Sequence, residues 1–575
     1  MKNISSLIVC IVISITLVQY RVSYSDMKPG NPPLKVTFWD ACGYYLYLPA
    51  ICKYHDYKEL KWLTDVDKKY SVTGGNGWQA EKLKNGNCVF KYLGGVALME
   101  LPFYYIGDLV AKHSHYPPDG FSPPYQYALG FGILVYCIIA ILLLRKILLL
   151  YFNDTVVSIT LLMLCLATNF IQYACIDNGQ SHAYIFLLYA LVLYSTLKWH
   201  KQPTATWAIL TGYVIGLATI CRPTEAIMLF IPLLWNTHNK IAAKEKWQLV
   251  KQHKSHIMYA GIAGIVGILP QLIYWKMATG DLMYDVGSKW EFLSPHFRVL
   301  FGWEKGWFVY TPITILFVAG LFFIKQFPFR KSAIWFCLLN VYIIIAWHEW
   351  RYGGSYSTRA LVQSYPVFAL PFAAVVDKIN MKKWRVFFYA LCAYLLAVNL
   401  FQLYQYNTTI LLYDGMNKAY YKRIYLNPNP SPIDMSAIDS NEIISNEAAY
   451  HKTVLINRDS ILTILGGATY PLTEIKLQDH NGAGANSWLK VECSIKAPGY
   501  LWQSYLNATL QQGDSTKQSR VRLFNPISKD DSINDYAFYV RVPQYFERAS
   551  VKVNVSSAMD FKGVVYKLKV TEFEK

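Results

Sequence analysis

The sequence predicts a mainly α-helical membrane protein that carries an all-β sandwich domain in its C-terminal part. Three observations predict this class. Of the 575 residues, 54% are hydrophobic and only 16% are charged, whereas soluble proteins usually carry about 25% charged residues. Long apolar runs fill residues 1–405. From about residue 465 onward, a period-two alternation of apolar and polar residues replaces them, which is typical of β-strands.

The apolar runs predict a bundle of membrane-spanning helices, because about 20 consecutive apolar residues are enough to cross a bilayer. The spans are expected near residues 4–20, 126–149, 156–174, 183–197, 204–221, 224–236, 256–275, 307–324, 332–347, 362–376 and 386–404. Two of these runs are divided by Arg222-Pro223, which predicts a break in the helix. Glu100 and Pro102 interrupt another apolar run, which we therefore expect to lie on the outer membrane surface.

The net charge of +18 is explained by membrane topology, because Lys and Arg collect in cytoplasmic loops. Alternate loops of the predicted bundle are basic, while the loops between them hold acids such as Asp40, Glu304 and Glu349. This pattern predicts a cytoplasmic N-terminus and an external C-terminal domain. The first helix also fits a cleaved signal peptide, but we favour a retained helix. No basic stretch carries a recognition module, so nucleic acid is not an expected partner.

The predicted domains are a transmembrane domain over 1–405, a linker over 406–464 and a β-sandwich over 465–575. The transmembrane domain includes a long external loop, residues 21–125. At least six alternating strands suggest a jelly-roll or immunoglobulin-type sandwich. Two of them place these residues on one face: Leu489, Val491, Cys493 and Ile495; and Tyr566, Leu568 and Val570. The eleven cysteines form no zinc-type motif, and a disulfide in the external loop remains open.

The most informative polar residue is Asp40, in an aromatic segment (38–49) just outside the first span. A carboxylate at the aqueous edge of the membrane can take a proton from an incoming hydroxyl group while that oxygen attacks. The same aspartate could instead cap a helix that starts near Ala41. The spacing alone does not decide between these two interpretations.

Two further clusters lie at helix boundaries that the predicted topology places on the same external side. In residues 177–182, His182 either donates to a phosphate or sugar hydroxyl, or simply faces water. In residues 221–225, Arg222 lies within apolar sequence, where an ionisable group usually faces a cavity or a partner. Arg222 therefore either contacts a phosphate or pairs with Glu225.

Two external loops combine cations with aromatic residues. The first contains Trp303 and Lys305, which suit a sugar phosphate by stacking on the ring and pairing with the anion. Ordinary aromatic belts at the interface have a similar composition. The second contains Tyr352 and Arg359, with Gly353 and Gly354 among the six residues between them. Arg359 begins a predicted helix, whose N-terminus would help to hold a phosphate; the alternative is an arginine that snorkels to the interface.

Four short motifs, in this order, resemble recurring segments of the membrane glycosyltransferases of the GT-C fold. The similarity is to the protein O-mannosyltransferases and aminoarabinose transferases, which use polyprenyl-phosphate sugars. The motifs are Asp40 with Tyr44-Tyr45-Leu46, Ser181-His182, Arg222-Pro223 and Gly353-Gly354-Ser355-Tyr356-Ser357-Thr358-Arg359. The family usually has a glutamate directly after the acid, whereas this sequence has Ala41. The resemblance covers roughly residues 1–405.

The resemblance implies a GT-C-type helical bundle and a role for each motif. It implies that Asp40 is the general base, that Arg359 is the leading ligand of the donor phosphate, and that Arg222, Lys305 and His182 are further phosphate ligands. Tyr44, Tyr45, Trp303 and Tyr352 are the expected substrate-binding aromatics. The expected reaction inverts the anomeric centre and needs neither a nucleotide sugar nor a metal or other cofactor.

The sequence therefore predicts a glycosyltransferase of the bacterial inner (cytoplasmic) membrane. It would move a sugar from a polyprenyl-phosphate donor to an acceptor hydroxyl on a glycan, lipid or protein, at the external face. Two alternatives remain open. One is a transporter or flippase for lipid-linked glycans, although such proteins more often show two related halves and mid-membrane charges. The other is a polymerase or ligase that uses lipid-diphosphate oligosaccharides.

Overall fold

The computed structural model describes residues 3–26, 35–74, 79–380, 383–477, 487–497, 503–523, 532–546, 548–558 and 560–575. The chain divides into two compact units, Met1–Leu400 and Phe401–Lys575. The first unit is mainly helical and the second contains an all-β sandwich, which confirms the predicted fold class. Each unit is described by itself.

The helical part contains long apolar helices joined by short ones and one small hairpin, β1–β2. Its elements are α1 (Ile4–Asp26), α2 (Asp40–Tyr45), α3 (Leu63–Tyr70), β1 (Ala80–Lys82), β2 (Cys88–Phe90), α4 (Gly95–Lys112), α5 (Pro123–Leu148), α6 (Asp154–Leu166), α7 (Phe170–Cys175), α8 (Ser181–Lys201), α9 (Ala205–Cys221), α10 (Phe230–Leu234), α11 (Lys240–Gln252), α12 (Lys254–Thr279), α13 (Arg298–Phe301), α14 (Trp307–Tyr310), α15 (Thr314–Ala319), α16 (Arg330–Ile345), α17 (Tyr365–Asn380) and α18 (Arg385–Asn407). Short 3₁₀ turns cover Pro223–Leu229 and Arg359–Ser364.

Among the described residues, five helices are long and apolar enough to cross a membrane. They cover Ile4–Tyr24, Pro123–Leu148, Lys254–Thr279, Arg359–Asn380 and Arg385–Asn407. Several other predicted spans are shorter or interrupted. The run 156–174 divides into α6 and α7 around Thr168 and Asn169, whose buried side chains hydrogen-bond to backbone carbonyls. The break predicted at Arg222-Pro223 is confirmed, because α9 ends at Cys221 and a 3₁₀ turn follows.

Helices α9 and α12 pack with their backbones in direct contact. A Cβ atom on Gly212 would lie 1.9 Å from the carbonyl oxygen of Ala260, and one on Gly216 would lie 2.2 Å from that of Gly264. Small residues at such spacing allow two membrane helices to approach closely. The glycines therefore set the position of α9, and with it the position of Arg222 at its C-terminal end.

Buried polar contacts fix the turn that precedes α8. Arg21 of α1 is only 3% exposed and donates to the carbonyl oxygen of Cys175 (2.6 Å) and to Asn178 Oδ1 (3.0 Å). Asn178 in turn donates to the carbonyl oxygen of Gly130 on α5 (3.0 Å). These bonds join α1, α5 and α7 around the segment that carries Gln180 and the start of α8.

In its described residues, the second unit contains two short α-helices and eight strands that form a sandwich. The helices are α19 (Lys418–Ile424) and α20 (Pro432–Ser436), and the strands are β3 (His451–Leu465), β4 (Thr469–Lys476), β5 (Trp488–Lys496), β6 (Ser504–Gln512), β7 (Ser515–Arg522), β8 (Ile533–Arg541), β9 (Ser550–Ser557) and β10 (Lys562–Glu574). The two antiparallel sheets have the orders β3-β10-β5-β8 and β4-β9-β6-β7. This is jelly-roll connectivity, so the jelly roll is the correct one of the two predicted sandwich types.

Two details of the sandwich differ from the sequence prediction. The first strand begins at His451, inside the segment 406–464 that was predicted as a linker. The alternation expected for Tyr566, Leu568 and Val570 is also interrupted, because a β-bulge shifts the register between Val565 and Lys567. Val565 is therefore buried in place of Tyr566, whereas the alternation of β5 is as predicted.

Candidate functional site

The carboxylate of Asp40 is held by two donors from distant parts of the first unit. Arg359 Nη2 lies 2.8 Å from Asp40 Oδ2, and the Tyr92 hydroxyl donates to Asp40 Oδ1 at 2.7 Å. Asp40 is the first residue of α2, but no side chain caps this helix. The helix-cap interpretation of Asp40 is therefore not observed, and its carboxylate serves a tertiary contact instead.

The backbone around Asp40 is strained in a way that directs its side chain. Trp39, the residue before α2, has a φ of +51°, which is uncommon for any residue other than glycine. Its N–H donates to the carbonyl oxygen of Val72 (2.9 Å), which holds the chain in this conformation. Strained residues of this kind collect at functional sites, where the surrounding structure maintains them.

Arg359 is directed towards Asp40 by a tightly held loop. Tyr352, Gly353 and Ser357 all have positive φ angles of 54–62°. The ammonium group of Lys305 donates to the carbonyl oxygens of Arg351 (3.1 Å) and Gly353. The φ of +62° at Gly353 favours glycine, while a Cβ atom there would lie in ordinary contact with Arg359 Nη2, at 3.4 Å. Lys305 thus fastens the loop that positions Arg359.

The electrostatics of the pair keep Asp40 ionised. Burial by itself raises the pKa of the Asp40 carboxyl, because it penalises the charged form. The positive charge of Arg359 and the hydrogen bonds from Tyr92 and Arg359 more than offset this, and Lys91 adds a weaker attraction. The net result is a pKa below the usual value. The side chains of Asp40 and Arg359 are only 25% and 10% exposed, so solvent screens the pair incompletely.

A second polar group lies around the side chain of Gln363. Its Oε1 accepts from His182 Nδ1 (2.7 Å) and, at 3.4 Å, from Arg222 Nη1, while its Nε2 donates to Glu225. Glu225 is 1% exposed and also accepts from Thr224 and from the Tyr189 hydroxyl. Because Gln363 Oε1 can only accept, Nδ1 of His182 carries the proton, which leaves Nε2 with the free lone pair.

Arg222 keeps most of its hydrogen-bonding capacity. It is half-buried and, among the described residues, no carboxylate lies within ion-pair distance of it. The direct pairing of Arg222 with Glu225 considered from the sequence is therefore not observed; the Gln363 amide bridges the two side chains instead. A guanidinium group without a carboxylate partner is a ready ligand for a phosphate.

Tyr44 links the two groups. Its hydroxyl hydrogen-bonds with Ser181, and it is close enough to Arg222, Asp40 and Arg359 to feel their charges. Its ring lies 4.5 Å from that of Tyr92, centroid to centroid. Gln180, next to Ser181, accepts from Arg359 Nη1 at 2.6 Å.

The structure thus brings together four of the five clusters found in the sequence, and three of the predicted aromatic residues also make contacts with the surrounding scaffold. Tyr45 is buried against Tyr104 and Phe121, and its hydroxyl donates to the carbonyl oxygen of Gly120. The Tyr352 hydroxyl donates to the carbonyl oxygen of Ile344. The carbonyl oxygen of Trp303 accepts from Tyr310. Tyr352 also lies within electrostatic reach of Arg222 and Arg359. The charged and polar residues that lie close together here are Asp40, Tyr44, His182, Arg222 and Arg359.

Tyr92 and Gln363 are the functional candidates that the sequence did not indicate. Tyr92 is one of 45 tyrosines, and nothing in its spacing marks it. Gln363 lies four residues after Arg359, in the 3₁₀ turn that leads into the apolar helix α17. A buried amide at that position is a signal of a polar network, but only the fold shows which groups it joins.

The arrangement can perform proton transfer beside an anion-binding site. Asp40 is an ionised base at the start of a helix, and two guanidinium groups from other segments face the same region. Among the described residues, no cluster of three or more His, Cys, Asp or Glu has the geometry to hold a metal ion. A separate cavity of about 270 Å³ lies in the second unit, and two of its three charged lining residues, Asp439 and Arg522, bind each other at 2.6 Å.

Among known proteins, similarity to this chain was found only in solved structures, that is, in the fold. No model of a protein family and no curated protein sequence matches it. ArnT from Cupriavidus metallidurans aligns over 72% of this chain and 68% of its own, with 10% identity and a TM-score of 0.42. The archaeal oligosaccharyltransferase AglB from Archaeoglobus fulgidus, in complex with an inhibitory peptide and a dolichol-phosphate, aligns over 72% and 57%, with 12% identity and a TM-score of 0.41.

The arabinosyltransferase EmbB from Mycobacterium smegmatis aligns over 97% of this chain and 64% of its own, with 11% identity and a TM-score of 0.37. The chain thus spans less than two thirds of the length of AglB and EmbB. All three are glycosyltransferases of the GT-C fold, the class that the motifs resemble. At these TM-scores the similarity is partial, and the activity of this chain is inferred from its own residues.

Proposed function

We propose that this protein is an inverting membrane glycosyltransferase that uses a polyprenyl-phosphate sugar as its donor. The observation that carries the proposal is the contact of Asp40 with Arg359, beside Arg222, in a unit built from apolar helices. A base next to two guanidinium groups suits a reaction in which a hydroxyl loses a proton while a phosphate leaves. The apolar helices supply the environment for a lipid carrier.

In the proposed reaction, the acceptor oxygen attacks the anomeric carbon from the face opposite the phosphate. The new bond forms between that oxygen and carbon, and the bond from the carbon to the phosphate oxygen breaks with its electron pair on the phosphate. The proton of the acceptor moves to Asp40. Because there is one displacement, the anomeric configuration is inverted. Arg222 and Arg359 bind the phosphate more strongly as its charge grows, which lowers the barrier.

The roles of the remaining residues follow from their contacts. Tyr44 lies within electrostatic reach of the base and of both arginines, and we propose that its ring packs against the sugar. The Nδ1–H of His182 is bound to Gln363, so in this tautomer Nε2 cannot donate to the donor phosphate as the sequence led us to expect. We propose instead that the lone pair of Nε2 accepts a hydrogen bond from a sugar hydroxyl. Lys305 acts through the loop that carries Arg359. We propose that no metal ion is required, since the guanidinium groups already supply positive charge at the leaving phosphate.

The proposed location is the external face of a bacterial inner membrane, with the sandwich on the same side. The charge bias of the loops supports this orientation. The acceptor is a hydroxyl on a glycan, a lipid or a protein. The aqueous-edge position predicted for Asp40 suits an acceptor that arrives from the external solution, whereas the donor reaches the site through the bilayer.

The test is sugar transfer in membranes from a radiolabelled polyprenyl-phosphate sugar pool. Asp40→Asn keeps the shape of the side chain but cannot accept a proton, so it should abolish the transfer of label. The matched control is Asp65→Asn, which removes an exposed acid of α3 in the same external loop. Full activity of a folded Asp40→Asn variant would remove Asp40 as the base. If the wild type moved no label from any monophosphate donor, a transporter or a diphosphate-dependent enzyme would be the better description.

A further inference from the structure

In this structure Arg359 binds the carboxylate that is assigned as the base. Its Nη2 lies 2.8 Å from Asp40 Oδ2, and its Nη1 is bound to Gln180. We infer that Arg359 changes partner during transfer: it holds ionised Asp40 before the reaction and the departing phosphate afterwards. This inference rests on the proposed function. Arg359 thereby couples removal of the acceptor proton to departure of the lipid phosphate.

The charges of the reaction make this exchange favourable. A polyprenyl-phosphate sugar is a phosphodiester with one negative charge, and the released polyprenyl phosphate carries up to one more. In the same step the proton from the acceptor neutralises Asp40. Arg359 therefore loses its anionic partner as a new negative charge forms on the phosphate. A buried guanidinium group left without an anion is costly. Protonation of Asp40 therefore favours departure of the phosphate, and the new phosphate charge favours protonation of Asp40.

The contacts of Arg359 allow a partner to change without movement of the loop. The bond from Nη1 to Gln180 and the support of the 351–353 backbone by Lys305 hold the guanidinium in place. Tyr92 binds the opposite oxygen of Asp40, so the carboxyl group keeps its position when its contact with Arg359 is broken. Only the contact of Nη2 has to switch.

Arg222 gives the donor a first ligand that does not compete with the base. It lacks a carboxylate partner among the described residues, and Tyr44 lies within electrostatic reach of both arginines. The donor can thus bind at Arg222 while Asp40 is still paired and ionised. The other charged group near Asp40 is Lys91, which attracts it more weakly than Arg359 does.

The test is a double-mutant cycle on the binding of undecaprenyl phosphate to the full chain in phosphatidylcholine nanodiscs. Asp40→Asn mimics the neutral base that follows proton transfer and leaves Arg359 free for the phosphate. This variant should bind undecaprenyl phosphate roughly tenfold more tightly than the wild type, because the negative charge of Asp40 no longer opposes the phosphate at short range. Arg359→Gln should weaken binding, and in that background Asp40→Asn should give no comparable gain. Asp65→Asn serves as the control.

The outcomes separate this inference from the proposed function. If wild type transfers sugar but Asp40→Asn binds undecaprenyl phosphate within twofold of wild type, Arg359 does not change partner and the enzyme proposal stands. A gain that persists in the Arg359→Gln background also overturns the exchange, because the effect is then simple charge repulsion. If wild type neither transfers sugar nor binds the probe, the proposed function itself fails. Thermal unfolding checks that each variant is folded.

Discussion

The hydroxyl of Tyr92 donates to Oδ1 of Asp40 at 2.7 Å, on the side of the carboxylate that Arg359 does not occupy. This bond orients the base and helps to keep it ionised. Tyr92→Phe should lower kcat about tenfold, the scale of one lost hydrogen bond to a charged group, and should leave the donor KM nearly unchanged. Tyr116→Phe, which removes an exposed hydroxyl in the same loop, is the control.

Tyr92→Phe should also change the dependence of kcat on pH. Tyr92 lowers the pKa of Asp40, so its removal raises that pKa. Because the reaction needs ionised Asp40, activity is lost as pH falls through the pKa. The acid limb of the kcat profile in Tyr92→Phe should therefore lie at higher pH than in wild type. An unmoved acid limb would contradict the role of Tyr92 at the base.

Arg222 is expected to act on donor binding rather than on proton transfer. Arg222→Gln removes the charge while keeping a polar group, and it leaves no carboxylate without an ion-pair partner among the described residues. The donor KM should rise about 10- to 100-fold, the range for a charge-assisted hydrogen bond, while the acid limb stays in place. The control is Arg351→Gln, which breaks the contact with Glu304 at 2.8 Å. A donor KM equal to that of the control would exclude Arg222 from the phosphate site.

Gln363 is expected to matter for stability as well as for activity. Gln363→Leu keeps the approximate size but removes the partner of His182 Nδ1 and one of the three donors to buried Glu225, which keeps Tyr189 and Thr224. The free energy of unfolding should fall by about 1–3 kcal/mol, the cost of one buried polar group left without its hydrogen bond. Thermal unfolding of the purified protein in detergent measures this. Gln248→Leu on the exposed face of α11 is the control, and equal melting temperatures for the two variants would refute the network.

The contact between α9 and α12 gives the sharpest prediction about packing. Gly212→Ala places a Cβ atom 1.9 Å from the carbonyl oxygen of Ala260, so the helices must separate. This should cost about 1–3 kcal/mol and lower the melting temperature. Gly261→Ala is the matched control, because nothing lies within 4 Å of its Cβ position on the same helix α12. Alanine there should be neutral or stabilising, given its higher helix propensity; equal effects would contradict the close approach.

The sequence allowed the helical and sandwich parts to be predicted because both rest on periodicity. It also indicated Asp40, His182, Arg222 and Arg359, which are charged or ionisable residues in apolar surroundings. It did not indicate Tyr92 or Gln363, because a tyrosine among many and an amide in an apolar turn gain meaning only from their partners. Nor could it show that Asp40 binds Arg359, since the two residues are distant in the chain and only tertiary packing joins them.

The strand order of the jelly roll has a consequence for how the protein is made. β10, the last of the eight strands in the chain, lies between β3 and β5 at the centre of its sheet. Until β10 has been synthesised, the earlier strands lack this pairing partner and expose unpaired edges, which are prone to aggregation. Closure of the sandwich depends on contacts between its first and last strands, and such long-range contacts form slowly. The sandwich can therefore close only after its last strand has been made, and its sheet edges stay exposed until then.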